Sequence, residues 1–163
     1  MTTPDMPQPL SGNQKRKMKS ASRLYAVQAL YQMEAAGQTV ERVQNEFIDH
    51  RFGAEIDDGV EMIEGDITLF GKITASAVNY QARIDQMTDR ALVAKWPIAR
   101  IDPTLRALFR AAGAELVDSD TPPRVIIAEY VEVTQAFFPE GRESKFVNAV
   151  LDHMAREARS EAF

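Results

Sequence analysis

Cysteine is absent from all 163 residues. That removes disulfides, thiolate metal sites and cysteine nucleophiles together, and it fits a reducing compartment. Only two histidines occur, His50 and His153. They lack the HExxH-type spacing that would place two imidazoles on one metal, so each reads as a residue on a helix surface. No metal ligand set and no cofactor are expected. No apolar run approaches the roughly 18 residues a membrane span needs. The first ten residues, Met1 to Leu10, are polar and proline-rich and lack the apolar stretch of a secretory signal. The expectation is a cytoplasmic protein without a membrane segment.

Phosphate-binding and hydrolase signatures are also missing. Neither GxGxxG nor GxSxG occurs. The stretch Gly65 to Lys72 has a faint likeness to a P-loop. It carries five residues between its glycines where that motif has four, and Ile73 stands where a hydroxyl should hold magnesium. Asp57, Asp58 and Glu61 cluster, but a solvated turn accounts for them. No catalytic residue is assigned, and the chain is read as non-enzymatic.

What is present is a chain long enough for one domain with a sizeable core. Its apolar (45%) and charged (26%) fractions are those of an ordinary globular protein. The net charge of −5 hides an asymmetry. Lys15, Arg16, Lys17, Lys19 and Arg23 fall between Leu10 and Met33 with no acid among them. The other 14 cations face all 24 acids, so the remainder carries −10. A basic arm on an acidic body is the pattern of an interaction tail. A solvated tail without a partner has the same composition, and charge alone does not choose between them.

Residues 1–18 combine three prolines of the leader with a Ser-Gly-Asn cluster and read as a flexible leader. Residues 19–160 read as a helical domain. Ser20 or Ser22 can cap a first helix whose apolar face is Leu24, Val27, Leu30 and Tyr31, and Gly37 stops it. Thr39 can cap a second that ends near Phe52 and Gly53, followed by a turn at Asp57-Asp58-Gly59. Spacings of three and four then run from Ile67 to Met87 as one long segment. Asp89 can cap a short helix ending near Trp96-Pro97.

Asp102-Pro103 is a helix start with Asp as cap and Pro at the first position, and Thr121-Pro122 repeats that grammar. The helix beginning at Val125 is apolar on most sides and is expected to be central and well buried. A last helix starts near Glu143 or Ser144. With no sustained period-two alternation, about seven helices with short links predict an all-α bundle.

The basic residues Lys15, Arg16, Lys17, Lys19 and Arg23 precede or enter a helix start, where free N–H groups favour anions. If all five met phosphates of a single strand, the log-log salt slope of binding would be about −3.5. A second basic group, Arg142 and Lys145, flanks the start of the last helix beside Phe146. An aromatic beside cations can stack on an unpaired base. Phe146 is also the first core position of its helix, and both readings stand.

Two regions carry a resemblance. One is Ser22-Arg23-Leu24-Tyr25-Ala26-Val27-Gln28-Ala29-Leu30-Tyr31-Gln32. The other joins Pro123-Arg124-Val125-Ile126-Ile127-Ala128-Glu129-Tyr130-Val131-Glu132 to Ser144-Lys145-Phe146-Val147-Asn148-Ala149-Val150-Leu151-Asp152. Together with Trp96-Pro97 and the Leu105 to Leu108 helix they resemble the NusB family of bacterial transcription antitermination factors, over most of residues 20 to 155.

The resemblance implies an all-helical domain of two packed three-helix groups and no catalysis. It implies binding of single-stranded boxA RNA of ribosomal RNA operon transcripts, together with NusE, a small-subunit ribosomal protein, and indirect association with other Nus factors and RNA polymerase. It places the family's basic start on Lys15 to Arg23 and an RNA-contacting pair on Lys145 and Phe146, and it puts Tyr31, Leu105 and Arg106 on the partner face. Here lysines stand in part for the family's arginines, and a lysine cannot fork onto phosphate as arginine does. Two other classes fit less well. A protein-only helical scaffold would leave the basic arm idle. A stand-alone relative of the NusB-like domain of ribosomal RNA cytosine methyltransferases would lack both a cofactor-binding domain and the cysteine such enzymes use.

Overall fold

The computed structural model describes residues 11–50, 52, 65–92 and 98–163. Among these there are seven α-helices, two short 3-10 turns and no strand. The expected turn at Asp57-Asp58-Gly59, the Phe52-Gly53 boundary and the Trp96-Pro97 end involve residues outside that set.

The first helix, α1 (Gly12–Ala36), starts earlier than Ser20 or Ser22. Ser11 is the cap. Its Oγ accepts from the Gln14 N–H at 3.1 Å, and the Gln14 side chain accepts from the Ser11 N–H at 2.8 Å. This reciprocal pair satisfies two of the free donors at the helix start. Residues 12–18, read from composition as part of a leader, are therefore helical. Ser22 is not a cap but a buried side chain whose hydroxyl donates to the Asp66 carbonyl at 2.7 Å. Gly37 ends α1 with φ 66°, a left-handed conformation that costs glycine little, and its N–H donates to the Met33 carbonyl.

Next come α2 (Val40–His50) and α3 (Ile67–Asn79), the latter capped by Asp66. The long segment expected from Ile67 to Met87 is in fact two helices. Tyr80, at φ −111° and ψ 18°, ends α3 and opens α4 (Gln81–Ala91). The break lets α3 pack on α1 and α5 while α4 turns to α5 and α7. Spacing alone could not show it, because the apolar period continues through the turn. Asp89 lies inside α4 rather than capping a further helix, and its carboxylate accepts from the Ile98 N–H at 3.4 Å.

Asp102 caps α5 (Pro103–Asp118) by accepting from the Thr104 N–H at 2.7 Å, as the sequence grammar predicts. The next helix, α6 (Pro123–Phe137), begins one residue later than Thr121-Pro122 suggests, with Pro123 at its first position. The last, α7 (Ser144–Ala158), starts where expected.

The central helix is α5, not α6. It packs against α1, α3, α4, α6 and α7. An almost unbroken run from Leu105 to Leu116 is buried, while Val125 on α6 is 41% exposed. The reason is side-chain size. Ala107, Ala111, Ala112, Gly113 and Ala114 let neighbours approach α5 from several sides. A Cβ on Gly113 would lie 2.4 Å from Ile84 Cγ2 on α4, so this crossing needs glycine. One group of helices is α1 to α3 and the other is α4, α6 and α7, with α5 shared between them. Arg159 closes the far end of α5. Its guanidinium donates to the carbonyls of Glu115, Leu116, Ser119 and Thr121, supplying donors that a helix C-terminus lacks. No helix among the described residues is long and apolar enough to cross a membrane.

Candidate nucleic-acid interface

The exposed cations of α1 come first in the chain. Lys15, Arg16, Lys17 and Lys19 are all exposed. Lys15 and Lys19, four apart, share a face. Arg16 and Lys17 border a groove of about 590 Å³ between α1 and α6, whose floor includes Leu24, Tyr25 and Val133 and whose far wall carries Glu129 and Glu132.

Arg23 does not join them. It is 4% exposed and points into the protein. Its Nε donates to Glu115 Oε2 at 2.9 Å and its Nη2 to Glu115 Oε1 at 3.0 Å. Glu129 stands 3.7 Å from its Nη1. Burial disfavours the charged guanidinium, but the hydrogen bonds and charge of Glu115 outweigh it and raise the Arg23 pKa. Arg23 as an RNA contact is thus corrected: its donors face Glu115 and Glu129 in the interior, not phosphate. No local pattern marks this contact, because Glu115 is 92 positions away. Tyr130, fully buried, belongs to the same cluster. Burial first, and the Glu115 carboxylate second, push its phenol well above the ordinary tyrosine range.

The second cluster is at the start of α7. Arg142 and Lys145 are exposed, and Arg142 stands 3.6 Å from the equally exposed Glu140. Phe146 is half-buried and meets Phe109 edge to face, with ring centroids 6.1 Å apart. It also lines a cavity of about 380 Å³ together with Arg100, Ile101, Asp102 and Leu105. The ring therefore packs on the core and faces open space at once. Arg100 is an exposed cation that sequence reasoning missed. The available signal was a cation two positions ahead of the Asp102 cap.

The two clusters sit toward opposite ends of α5. Arg23 joins α5 at Glu115, and Phe146 lies beside Leu105 and Phe109. At 1.5 Å per residue, Leu105 and Glu115 are about 15 Å apart along the axis.

Of the three residues expected on a partner face, Tyr31 and Arg106 meet the same stretch of α1, while Leu105 opens elsewhere. Tyr31 is 43% exposed and borders a concavity of about 430 Å³ with Val27, Gln28, Phe47, Thr104 and Phe137. Leu105 is buried and opens toward Phe146 instead. Arg106 is turned to Glu34, with Nε to Oε1 at 2.8 Å, and donates to the Ile98 carbonyl at 3.0 Å. Of the three, Tyr31 is the exposed one, Arg106 is partly buried against Glu34, and Leu105 is buried.

Residues 20–156 match the model of the NusB family. The chain belongs to the NusB family. It is 46% identical over 148 residues to the transcription antitermination protein NusB of Maricaulis maris, covering 90% of this chain and 91% of that one. Against the NusB of Caulobacter vibrioides the identity is 44% over 151 residues, covering 92% and 99%. Among solved structures, T. maritima NusB matches with a TM-score of 0.68 and 27% identity, covering 88% of this chain and 95% of the other. NusB in a complex with NusE and double-stranded RNA matches with a TM-score of 0.66. At 21% identity, over 85% and 96% of the two chains, that likeness speaks for the fold. The all-helical NusB fold expected from the residues is the one observed, and NusB-family proteins are not enzymes.

Proposed function

We propose that this NusB-family chain is a transcription antitermination factor that binds single-stranded boxA-type RNA together with NusE, without catalysis. It works in the cytoplasm, where transcripts arise, and meets other Nus factors and RNA polymerase through that complex. The observation that carries the reading is the pair of clusters at the two ends of α5. Lys15, Arg16, Lys17 and Lys19 offer exposed cations at one end. At the other, Phe146 offers a ring beside a cavity, flanked by Lys145, Arg142 and Arg100. Cations that track phosphates and an aromatic that stacks on a base are the two components of single-strand recognition. Tyr31 and the concavity around it form the surface offered to NusE.

The structure sharpens the salt dependence. With Arg23 turned inward, four cations remain on α1, and their share of the log-log slope is about −2.8. The test measures affinity for a boxA RNA and a scrambled RNA, with and without NusE, over a salt series. Preference for boxA that grows when NusE is added is the expected result. Equal affinity for the two RNAs with NusE present overturns boxA recognition. RNA affinity unchanged by removal of residues 1–19 overturns the contact of the basic turn of α1 with RNA, and no measurable affinity for either RNA favours a protein-only scaffold.

A further inference from the structure

The buried ion pair of α1 has no part in the contacts proposed above, yet it follows directly on the basic turn. Three side chains in one turn of α1 reach three different neighbours. The Ser20 hydroxyl donates to Glu129 of α6 at 2.8 Å. The Ser22 hydroxyl donates to the Asp66 carbonyl, ahead of α3, and the Asp66 N–H returns a bond to the Met18 carbonyl at 3.3 Å. Arg23 forks onto Glu115 of α5. Before this turn α1 shows Lys15, Arg16, Lys17 and Lys19 to solvent. After it, α1 is packed into the core.

We propose that Arg23 is a positioning residue for RNA binding: through Glu115, and with Ser20 held on Glu129, it fixes the basic turn of α1 at a set distance and angle from Phe146. The inference rests on the RNA-binding reading above. Its physical basis is preorganisation. A strand that must meet cations at one end of α5 and a ring at the other binds more tightly when their separation is already set, because less ordering remains at binding. The Arg23–Glu115 pair suits this task. The guanidinium fork fixes direction as well as distance, and the helix it grips is the central one.

Three roles for Arg23 predict different results. A phosphate contact predicts that Glu115→Gln, by releasing Arg23, tightens RNA binding. It also predicts that Arg23→Met lowers the salt slope by about 0.7. A role in stability alone predicts no change in affinity while the variant stays folded. A positioning role predicts weaker binding with an unchanged slope, because the four phosphate-facing cations are still present.

The experiment uses the full chain and a single-stranded boxA RNA at several salt concentrations, with Glu115→Gln, Arg23→Lys and the milder Glu129→Gln and Ser20→Ala. Helix content by circular dichroism selects the folded variants, and hydrogen exchange follows the amides of residues 14–22. Glu115→Gln and Arg23→Lys are expected to bind about tenfold more weakly with the wild-type slope. Glu129→Gln and Ser20→Ala lose less, in the same direction. Protection of residues 14–22 falls while that of α5 is kept. Tighter binding by Glu115→Gln, or wild-type affinity in all folded variants, overturns the positioning role. So does wild-type protection of residues 14–22 in Glu115→Gln, whatever the RNA result. Should the wild type bind no RNA while protection falls as expected, the RNA-binding reading fails, and the pair holds α1 in place for another purpose.

Discussion

Arg23 and Glu115 face each other in a two-pronged pair, 2.9 and 3.0 Å between heavy atoms, with side chains only 5% and 2% exposed. Removing one partner leaves the other charge buried, which costs about 3–5 kcal/mol. Replacing both with apolar side chains of similar size removes that penalty. Arg23→Met and Glu115→Leu are each expected to destabilise by about that amount, and the double variant by much less. Urea unfolding of the four proteins reads this directly. A double variant as unstable as the sum of the singles would mean that the two side chains are not coupled, and the penalty of an orphaned buried charge would then not explain the singles.

Two glycines inside helices are expected to respond to alanine with opposite sign. Gly71, in α3, has nothing within 4 Å of an added Cβ. Gly71→Ala therefore gains up to about 1 kcal/mol of helix propensity. Gly113, in α5, would place its Cβ 2.4 Å from Ile84 Cγ2. Gly113→Ala costs about 1–3 kcal/mol through overpacking, and Ile84→Ala in the same chain recovers part of it. Thermal or urea midpoints suffice. Destabilisation by Gly71→Ala, or a neutral Gly113→Ala, contradicts the packing described.

The helices were legible where local chemistry marks them. Asp102-Pro103 and Gly37 sit at element ends, and the spacing of Phe146, Val147, Val150, Leu151 and Met154 defines the inner face of α7. What stayed hidden depends on residues far apart in the chain. Arg23 looks like its exposed neighbours until Glu115 is brought beside it. The break at Tyr80 leaves the apolar period intact. The run from Val125 looked central because its residues are large and apolar, whereas the centre went to α5, whose small residues let five helices approach. Leu105 and Arg106 could be placed on a partner face only by resemblance, because the burial of Leu105 and the Arg106–Glu34 pair depend on residues distant in the chain.

Tyr130 makes stability sensitive to alkaline pH. Its hydroxyl is buried, has no hydrogen-bond partner of good geometry, and lies in the field of Glu115, so its pKa is raised well above the ordinary value of 10.0. Below that value both folded and unfolded chains hold the phenolic proton. Above it the unfolded chain ionises first and holds fewer protons, so stability falls as pH rises toward the folded-state pKa. Tyr130→Phe removes this contribution. At about pH 8 the variant is expected within about 1 kcal/mol of wild type, and above about pH 10 it loses less stability than wild type does. Denaturant unfolding at the two pH values measures the difference. Parallel loss in both proteins would place the alkaline sensitivity elsewhere.

Affinity and discrimination are expected to separate between the two clusters. Lys15→Ala or Lys19→Ala removes one exposed cation of α1. Each is expected to lower the salt slope by about 0.7 and to weaken boxA and scrambled RNA alike. Phe146→Leu keeps an apolar side chain against Phe109 but has no flat face to offer a base. It is expected to lose about 1–3 kcal/mol on boxA RNA, to leave the slope at its wild-type value, and to narrow the gap between boxA and scrambled RNA. The ring is only half-buried, so the folded variant keeps most of its packing, and unfolding midpoints report any loss. A Phe146→Leu protein that is less stable yet binds boxA normally would return this side chain to the core alone, and readout would then have to come from Arg100, Lys145 or the partner protein.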